Sequence, residues 1–172
     1  MGLQIIKHQM IQVYDYVFEN GNYHFVTDSY CVYEIRFSFS DRFFDKHCSS
    51  CKDIFEVNIV CLSHDCPRND KRTGATICNI FEVFLSDSCN GIMYWCRDDD
   101  EKGYKREMKF DRWFDFFCTS DKIERFAQEF CDEECLKYYL LVDKGCTNYP
   151  IVVHDFNHRC RNCSGDPYPA DC

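Results

Sequence analysis

Residues 33–39 read Tyr-Glu-Ile-Arg-Phe-Ser-Phe, in which apolar and polar side chains alternate without exception. Successive side chains of a β-strand point to opposite faces of the sheet, so this stretch predicts a strand with one buried face. Residues 55–61 repeat the alternation, and Asn20-Gly21, a dipeptide typical of tight hairpins, lies between two further alternating stretches. Residues 14–61 therefore predict a four-strand antiparallel meander.

The spacing of the apolar residues then changes from two to between three and four, which is typical of a helix. A first helix is predicted over residues 77–85 and ends before Asn90-Gly91, because these residue types favour helix C-termini. A short apolar strand follows at residues 92–96. A second helix has an apolar stripe formed by Phe110, Trp113, Phe114 and Phe117. Its basic side is formed by Lys105, Arg106, Lys109 and Arg112.

The last third of the chain predicts one more helix and two strands. Residues 121–130 have the apolar spacing of a helix, whereas residues 136–142 and 151–156 are short apolar runs typical of strands. The complete order predicts an α+β fold with a mixed, mostly antiparallel sheet: a four-strand meander, then helix, strand, helix and two C-terminal strands. We expect a single α+β domain over residues 1–156 and an irregular, cysteine-rich tail over residues 157–172.

Composition excludes some classes of function and favours one compartment. The chain has 15 cysteines among 172 residues and a formal net charge of −9. A negative chain is poorly suited to phosphate backbones, so no nucleic-acid partner is expected, and no apolar run has the roughly 20 residues of a membrane helix. The first residues carry no secretion signal, which favours a cytoplasmic protein with mostly reduced cysteines. Cys61, Cys78 and Cys96 stand where small apolar residues would stand.

Two Cys-x-x-Cys pairs, Cys48/Cys51 and Cys160/Cys163, have the spacing of zinc knuckles. The two pairs lie much further apart than in compact zinc motifs, and such pairs arise readily by chance in a cysteine-rich chain. The acidic run at residues 98–101 precedes a predicted helix, where carboxylates compensate the helix dipole. We therefore expect no metal site, and a zinc-stabilised structural or interaction protein stays open as an alternative.

Four motifs in this order also carry a family resemblance. They are the hairpin start at residues 14–18, the helix-initiating segment at 70–80, the strand at 92–98, and an Arg-x-x-x-Phe-x-x-Trp-Phe pattern formed by Arg106, Phe110, Trp113 and Phe114. Together they resemble a bacterial family of small α+β proteins whose function is not established. The resemblance covers about residues 14–142, implies the same fold class, and implies no activity.

The order of elements is, more distantly, similar to the acyl-CoA N-acyltransferase fold without its first helices. That resemblance implies that the turn after the fourth strand holds the cofactor pyrophosphate, or another anion, on backbone N–H groups at a helix N-terminus. The matching residues are Lys71, Arg72, Thr73, Gly74 and Ala75. Without the resemblance, the same stretch is interpreted as an ordinary helix N-terminus with Asp70 or Thr73 as the cap. The tyrosine that acts as the acid in that fold corresponds to Phe110, which has no hydroxyl to donate a proton.

We therefore expect a non-catalytic binding or interaction domain with an acyltransferase-like shape, whose partner is a protein or a small anionic ligand. The alternative is an active acyl-CoA-dependent N-acyltransferase. The sequence identifies neither a cofactor nor a catalytic residue, and His154 is interpreted as a buried core residue. An open V between neighbouring strands beside Gly74 would favour a cofactor cleft, and a closely packed sheet would disfavour one.

Overall fold

The computed structural model describes residues 11–39, 54–67, 70–96, 101–118, 121–131 and 135–162. The elements in these residues are β1 (Tyr16–Glu19), β2 (Asn22–Val26), β3 (Val32–Phe39), β4 (Ile54–Cys61), α1 (Lys71–Ser88), β5 (Gly91–Trp95), α2 (Gly103–Phe117), β6 (Ile123–Cys131), β7 (Cys135–Asp143) and α3 (Tyr149–Asn162). The strands form one sheet in the order β1-β2-β3-β4-β5-β7-β6. Only the β4–β5 pair is parallel among these strands, so the predicted α+β class with a mixed, mostly antiparallel sheet is confirmed.

The N-terminal meander forms as its alternation predicts. Glu19 pairs with Asn22, so the β1–β2 hairpin closes with the two-residue turn Asn20-Gly21. Both turn residues have positive φ, 53° and 82°, which is the conformation that Asn and Gly adopt at least cost. This turn fixes the register, and the register decides which face of each strand is buried.

Helices α1 and α2 cover one face of the sheet. Their apolar stripes and the facing strand residues form the larger core, whose buried members are Tyr14, Phe25, Ile35, Ile77, Ile80, Phe81, Leu85, Ile92, Tyr94, Tyr139 and Leu141. Helix α1 begins at Lys71 with Asp70 as its cap, which confirms one of the two predicted caps, and it extends several residues before the apolar spacing that starts at residue 77. Its last residue is Ser88, and the C-cap residue Cys89 has a left-handed conformation with φ 54°. The sequence predicted the end of the helix one residue later, at Asn90-Gly91.

Helix α3 covers the opposite face of the sheet beneath β5, β6 and β7, where a strand was expected over residues 151–156. In the helix, Val152 and Phe156 lie four positions apart and point into a second core, while Ile151 is exposed. His154 is therefore exposed as well, and its interpretation as a buried core residue is wrong. The helix also crosses residue 157, where we expected an irregular tail to begin.

A helix was also expected over residues 121–130, and this prediction is wrong, because most of the range forms strand β6. Its nine residues pair with β7 along their full length, from Ile123 opposite Asp143 to Cys131 opposite Cys135. Phe126 faces α3, and Arg125 faces α2 on the other side of the sheet. The apolar spacing suits a helix, but nine residues of backbone pairing outweigh a weak local preference.

The cysteines depart in part from the expected reduced state. The described residues include two disulfide bonds, Cys31–Cys66 and Cys89–Cys146. Cys78 is a buried free thiol, as expected of a packing residue, whereas Cys61 is exposed at the end of β4. The bonded partners are 35 and 57 residues apart in the sequence, so only the folded chain shows which cysteines meet.

None of the helices in the described ranges has both the length and the apolar character needed to cross a membrane.

Candidate functional site

The parallel strands β4 and β5 separate beside the N-terminus of α1. They pair only from Ile54 opposite Gly91 to Glu56 opposite Met93, although β4 continues to Cys61 and β5 to Trp95. Because the strands are parallel, their unpaired C-terminal halves point to the same end of the sheet. We call this end, with the first turn of α1 beside it, the β4–β5 mouth.

Three stacked aromatic rings line the sheet at the same end. Tyr14, Phe25 and Tyr33 lie on neighbouring segments with centroid distances of 6.0 and 5.0 Å and nearly parallel planes. The Arg72 guanidinium lies over the outer face of Tyr14, 3.9 Å from its centroid. These contacts fix the segment before β1 against α1 and give the mouth a rigid wall.

Asp70 caps α1 and already neutralises its N-terminus. Its carboxylate accepts hydrogen bonds from the backbone N–H of Arg72, the hydroxyl of Thr73 and the hydroxyl of Tyr14, each 2.9 Å long. Burial alone would raise the pKa of Asp70, but these hydrogen bonds outweigh it and the pKa is lowered. The first turn of α1 thus holds an internal anion at the position where a phosphate group would bind.

The five residues of the expected anion-binding turn do not form a loop. They are the first five residues of α1, and Thr73, Gly74 and Ala75 are buried. Arg72 donates to the carbonyls of Gln12 and Val13 and pairs with Asp28. Lys71 is the exposed member of the set, and the role of these residues in binding an anion stays a prediction.

Trp113 of α2 fills the space above Gly74. A Cβ atom at Gly74 would lie 2.3 Å from the Trp113 Nε1, so only glycine allows this approach of the two helices. The ladder between β4 and β5 ends early, and the indole of Trp113 fills the space next to Gly74 on the neighbouring helix.

Lys109 adds a cation to the β4–β5 mouth that the sequence did not single out. Its Nζ lies 4.6 Å from the centre of the Trp113 ring. Burial lowers the pKa of Lys109, while the nearby Cys61 and Asp70 act in the opposite sense. The sequence contained one signal, because Lys109 and Trp113 are four residues apart on α2 and therefore share a face.

Phe110 lies against the buried tyrosines of the sheet. Its ring is 5.1 Å from that of Tyr94, which in turn stacks on Tyr139. Burial raises the pKa of Tyr94, so its hydroxyl stays protonated at neutral pH. The Tyr139 hydroxyl donates to Glu107 on α2. Phe110 has no hydroxyl, but Tyr94 and Tyr139, on the sheet face that α2 covers, each carry one.

The candidate metal ligands lie largely outside the described residues. Cys48, Cys51 and Cys163 are not among them, and neither is the side chain of Cys160 in α3. The same holds for residues 98–100 of the acidic run. Within the part of the chain that the structure describes, no group of three metal-ligating side chains comes together. The zinc alternative therefore stays a prediction.

A family model matches the stretch of the chain from α1 into α3. Residues 69–158, slightly more than half of the chain, match the family described as "Family of unknown function (DUF6169)". No curated protein and no solved structure matches the chain. The matched region begins at the first turn of α1 and includes β5 and α2, so it contains the helical side of the β4–β5 mouth.

Proposed function

We propose that this chain, which belongs to the DUF6169 family, is a non-catalytic binding domain with an acyltransferase-like shape that takes a small anionic ligand at the β4–β5 mouth. The observation that carries the proposal is the state of Lys109. Its ammonium lies against an indole ring, and among the described residues no carboxylate forms an ion pair with it. A bound anion would supply that missing partner.

Electrostatics favour an anion at this position. Lys109 is an exposed residue, but the packing of its side chain against Trp113 partly desolvates the ammonium, and that desolvation lowers its pKa. An anion placed next to the ammonium recovers the energy through a charge-assisted hydrogen bond, worth about 1.5–3 kcal/mol. A second exposed lysine, Lys71, begins α1 directly after Asp70.

Two features argue for binding without acyl transfer. Asp70 already takes hydrogen bonds from the first turn of α1, so the N–H groups that would hold a cofactor pyrophosphate are engaged. Phe110 stands where the resemblance implies a tyrosine acid, and it has no proton to give to a leaving thiolate. The ligand's contacts therefore come from lysine side chains rather than from the helix backbone.

Inorganic pyrophosphate is the probe for this site. It should raise the melting temperature of the protein in a concentration-dependent way, because a ligand that binds only the folded state stabilises it. Replacing Lys109 with methionine keeps an unbranched side chain over Trp113 but removes the charge, and should weaken binding roughly 10- to 100-fold. Lys144→Met, an exposed lysine in the loop after β7 at the opposite end of the sheet, is the matched control and should bind as the wild type does.

Equal affinities of the Lys109→Met and Lys144→Met variants would refute the assignment of the site to Lys109. Absence of any shift with pyrophosphate at low salt would refute an anion site at the mouth. Binding should also weaken as salt is added, since the contacts are between charges that solvent reaches.

An acyl-CoA-dependent N-acyltransferase is the second candidate, and the early separation of β4 and β5 favours it. It differs from the first proposal in two measurable ways. Acetyl-CoA should stabilise the protein more than pyrophosphate does, and acetyl groups should be transferred to amine acceptors. Acetyl transfer by the wild type would establish catalysis. Its loss in a Tyr94→Phe variant would identify the Tyr94 hydroxyl, on β5 instead of α2, as the proton donor to the leaving thiolate.

A further inference from the structure

Three cysteine sulfurs meet at the end of β4, beside the site just described. Cys66 forms the disulfide with Cys31, and the Cys61 Sγ lies 3.1 Å from the Cys66 Sγ. Residues 62–65 turn the chain back after β4, and this turn brings Cys66 next to Cys61. Cys31 precedes β3, the strand that pairs with β4, so neighbouring strands bring all three cysteines to one corner.

The three sulfurs differ in their access to solvent. Cys31 is 4 % exposed, Cys66 is partly buried, and Cys61 is exposed. An external thiol can therefore reach Cys61 far more easily than the buried sulfur of the Cys31–Cys66 bond. A free thiol in contact with a disulfide is the arrangement from which thiol–disulfide exchange proceeds.

We propose that Cys61, Cys66 and Cys31 form a thiol–disulfide exchange site whose external substrate is a small thiol. The Cys61 thiolate attacks the Cys66 Sγ, the Cys61–Cys66 bond forms, and the Cys31–Cys66 bond breaks. Cys31 leaves as a thiolate and takes up the proton that Cys61 released. The number of disulfide bonds is unchanged, so this step needs no oxidant or reductant.

The second step brings in the substrate. Once the disulfide joins Cys61 and Cys66, it has an exposed sulfur, and an incoming thiolate attacks the Cys61 Sγ. A mixed disulfide forms on Cys61, and Cys66 leaves as a thiolate that takes up a proton from solvent. The external thiol thus reacts at the exposed Cys61 and does not have to reach the buried Cys31.

Neighbouring groups support the role of Cys61 as the nucleophile. Tyr33 lies opposite Cys61 in the β3–β4 ladder, and burial together with a hydrogen bond to the Cys61 sulfur raises the pKa of Tyr33 to about 12. The Lys109 ammonium interacts favourably with a charge on the same sulfur. The hydroxyl of Tyr33 and the ammonium of Lys109 therefore both lie beside the sulfur that attacks.

Disulfide mapping tests the first step. The protein is quenched in acid, its free thiols are alkylated, and the chain is cleaved before Asp65, which separates Cys61 from Cys66. We expect both the Cys31–Cys66 and the Cys61–Cys66 linkages in the wild type. The Cys31→Ser variant should contain only the second and the Cys61→Ser variant only the first. A wild type with the Cys31–Cys66 linkage alone, even after long incubation at alkaline pH, would overturn the proposal.

Reaction with glutathione tests the second step. Loss of the disulfide at Cys66 should be at least about 10-fold slower in Cys61→Ser than in the wild type, because only the buried route remains. The Cys89–Cys146 bond of the same molecules is the internal control and should be reduced at an unchanged rate. Cys78→Ser, which removes a buried free thiol elsewhere, should behave as the wild type. Equal rates at Cys66 in the two proteins, or a zinc ion bound by the three sulfurs, would contradict the exchange site.

Discussion

Replacing Gly74 with alanine probes the close contact of α1 with α2 beside the β4–β5 mouth. Gly74 is buried in the first turns of α1, and the Cβ that alanine adds would lie 2.3, 2.5 and 2.7 Å from three atoms of the Trp113 indole. Distances this short force the indole or the helix to move. The half-buried indole contacts Lys109 on one side and Phe110 at a centroid distance of 5.4 Å, so a shift of the ring disturbs both contacts.

Two opposing effects decide the magnitude. Alanine favours the helix over glycine by about 1 kcal/mol, and Gly74 has no positive φ that would offset this gain. Overpacking of a rigid core site costs about 1–3 kcal/mol, and three contacts below 3.0 Å place this substitution near the upper end. We therefore expect Gly74→Ala to lower the free energy of unfolding by about 1–2 kcal/mol, which corresponds to roughly 2–8 °C in melting temperature.

Urea unfolding of four proteins separates the two effects. They are the wild type, Gly74→Ala, Trp113→Ala and the double variant. Without the indole, the clash is gone and the helix propensity remains, so Gly74→Ala should stabilise the Trp113→Ala background by up to about 1 kcal/mol. This change of sign is the decisive result. If Gly74→Ala stabilised the wild type as much as it stabilises the Trp113→Ala variant, the close approach of α1 and α2 at Gly74 would be refuted.

Three further substitutions test other parts of the fold. Phe156→Ala should lower the free energy of unfolding by about 3–5 kcal/mol, because Phe156 is fully buried under the sheet. Ile151→Ala should lower it by less than about 0.5 kcal/mol, because Ile151 is exposed. Similar losses for the two variants in urea unfolding would contradict the helix at α3. Asp70→Ala should cost about 1 kcal/mol at neutral pH through loss of the cap. Because the folded pKa of Asp70 lies below its unfolded value of about 4, its ionised form stabilises the protein above that pH and the gain is lost as the pH falls through the folded pKa. The difference between wild type and Asp70→Ala should therefore shrink as the pH falls below the unfolded value of about 4, and a difference that stays constant would contradict the hydrogen-bonded carboxylate.

Much of the fold follows from local sequence patterns. The alternation at residues 33–39 and the Asn20-Gly21 turn each specify a structure within a few residues, and the register of the meander follows from them. The helical spacing at residues 77–85 likewise predicts α1, because its apolar stripe requires one buried face. These features depend on neighbours in the sequence, so they can be recognised without the folded chain.

The candidate site was predicted only in part. The pattern around residues 70–75 located the N-terminus of α1 and named Asp70 as one of two candidate caps, but it did not show that Tyr14 also donates to that carboxylate. Lys109 was recognised as part of a basic helix side, yet its position beside Trp113 and Cys61 depends on how α2 lies against α1. The packing angle between two helices is not encoded in either helix alone.

The sequence by itself determined the α+β class, the four-strand meander, α1, β5, α2 and β7. Only the tertiary structure decided that residues 123–131 form a strand, that residues 149–162 form a helix on the far face, and that Cys61 meets Cys66 and Cys31. In each case the deciding interactions lie outside the local pattern. The edge strand β6 is stabilised by backbone pairing with β7, which its own apolar spacing does not show. A short β-branched segment can bury its apolar side chains in either a strand or a helix, and sulfur contacts depend on the path of the backbone between the cysteines.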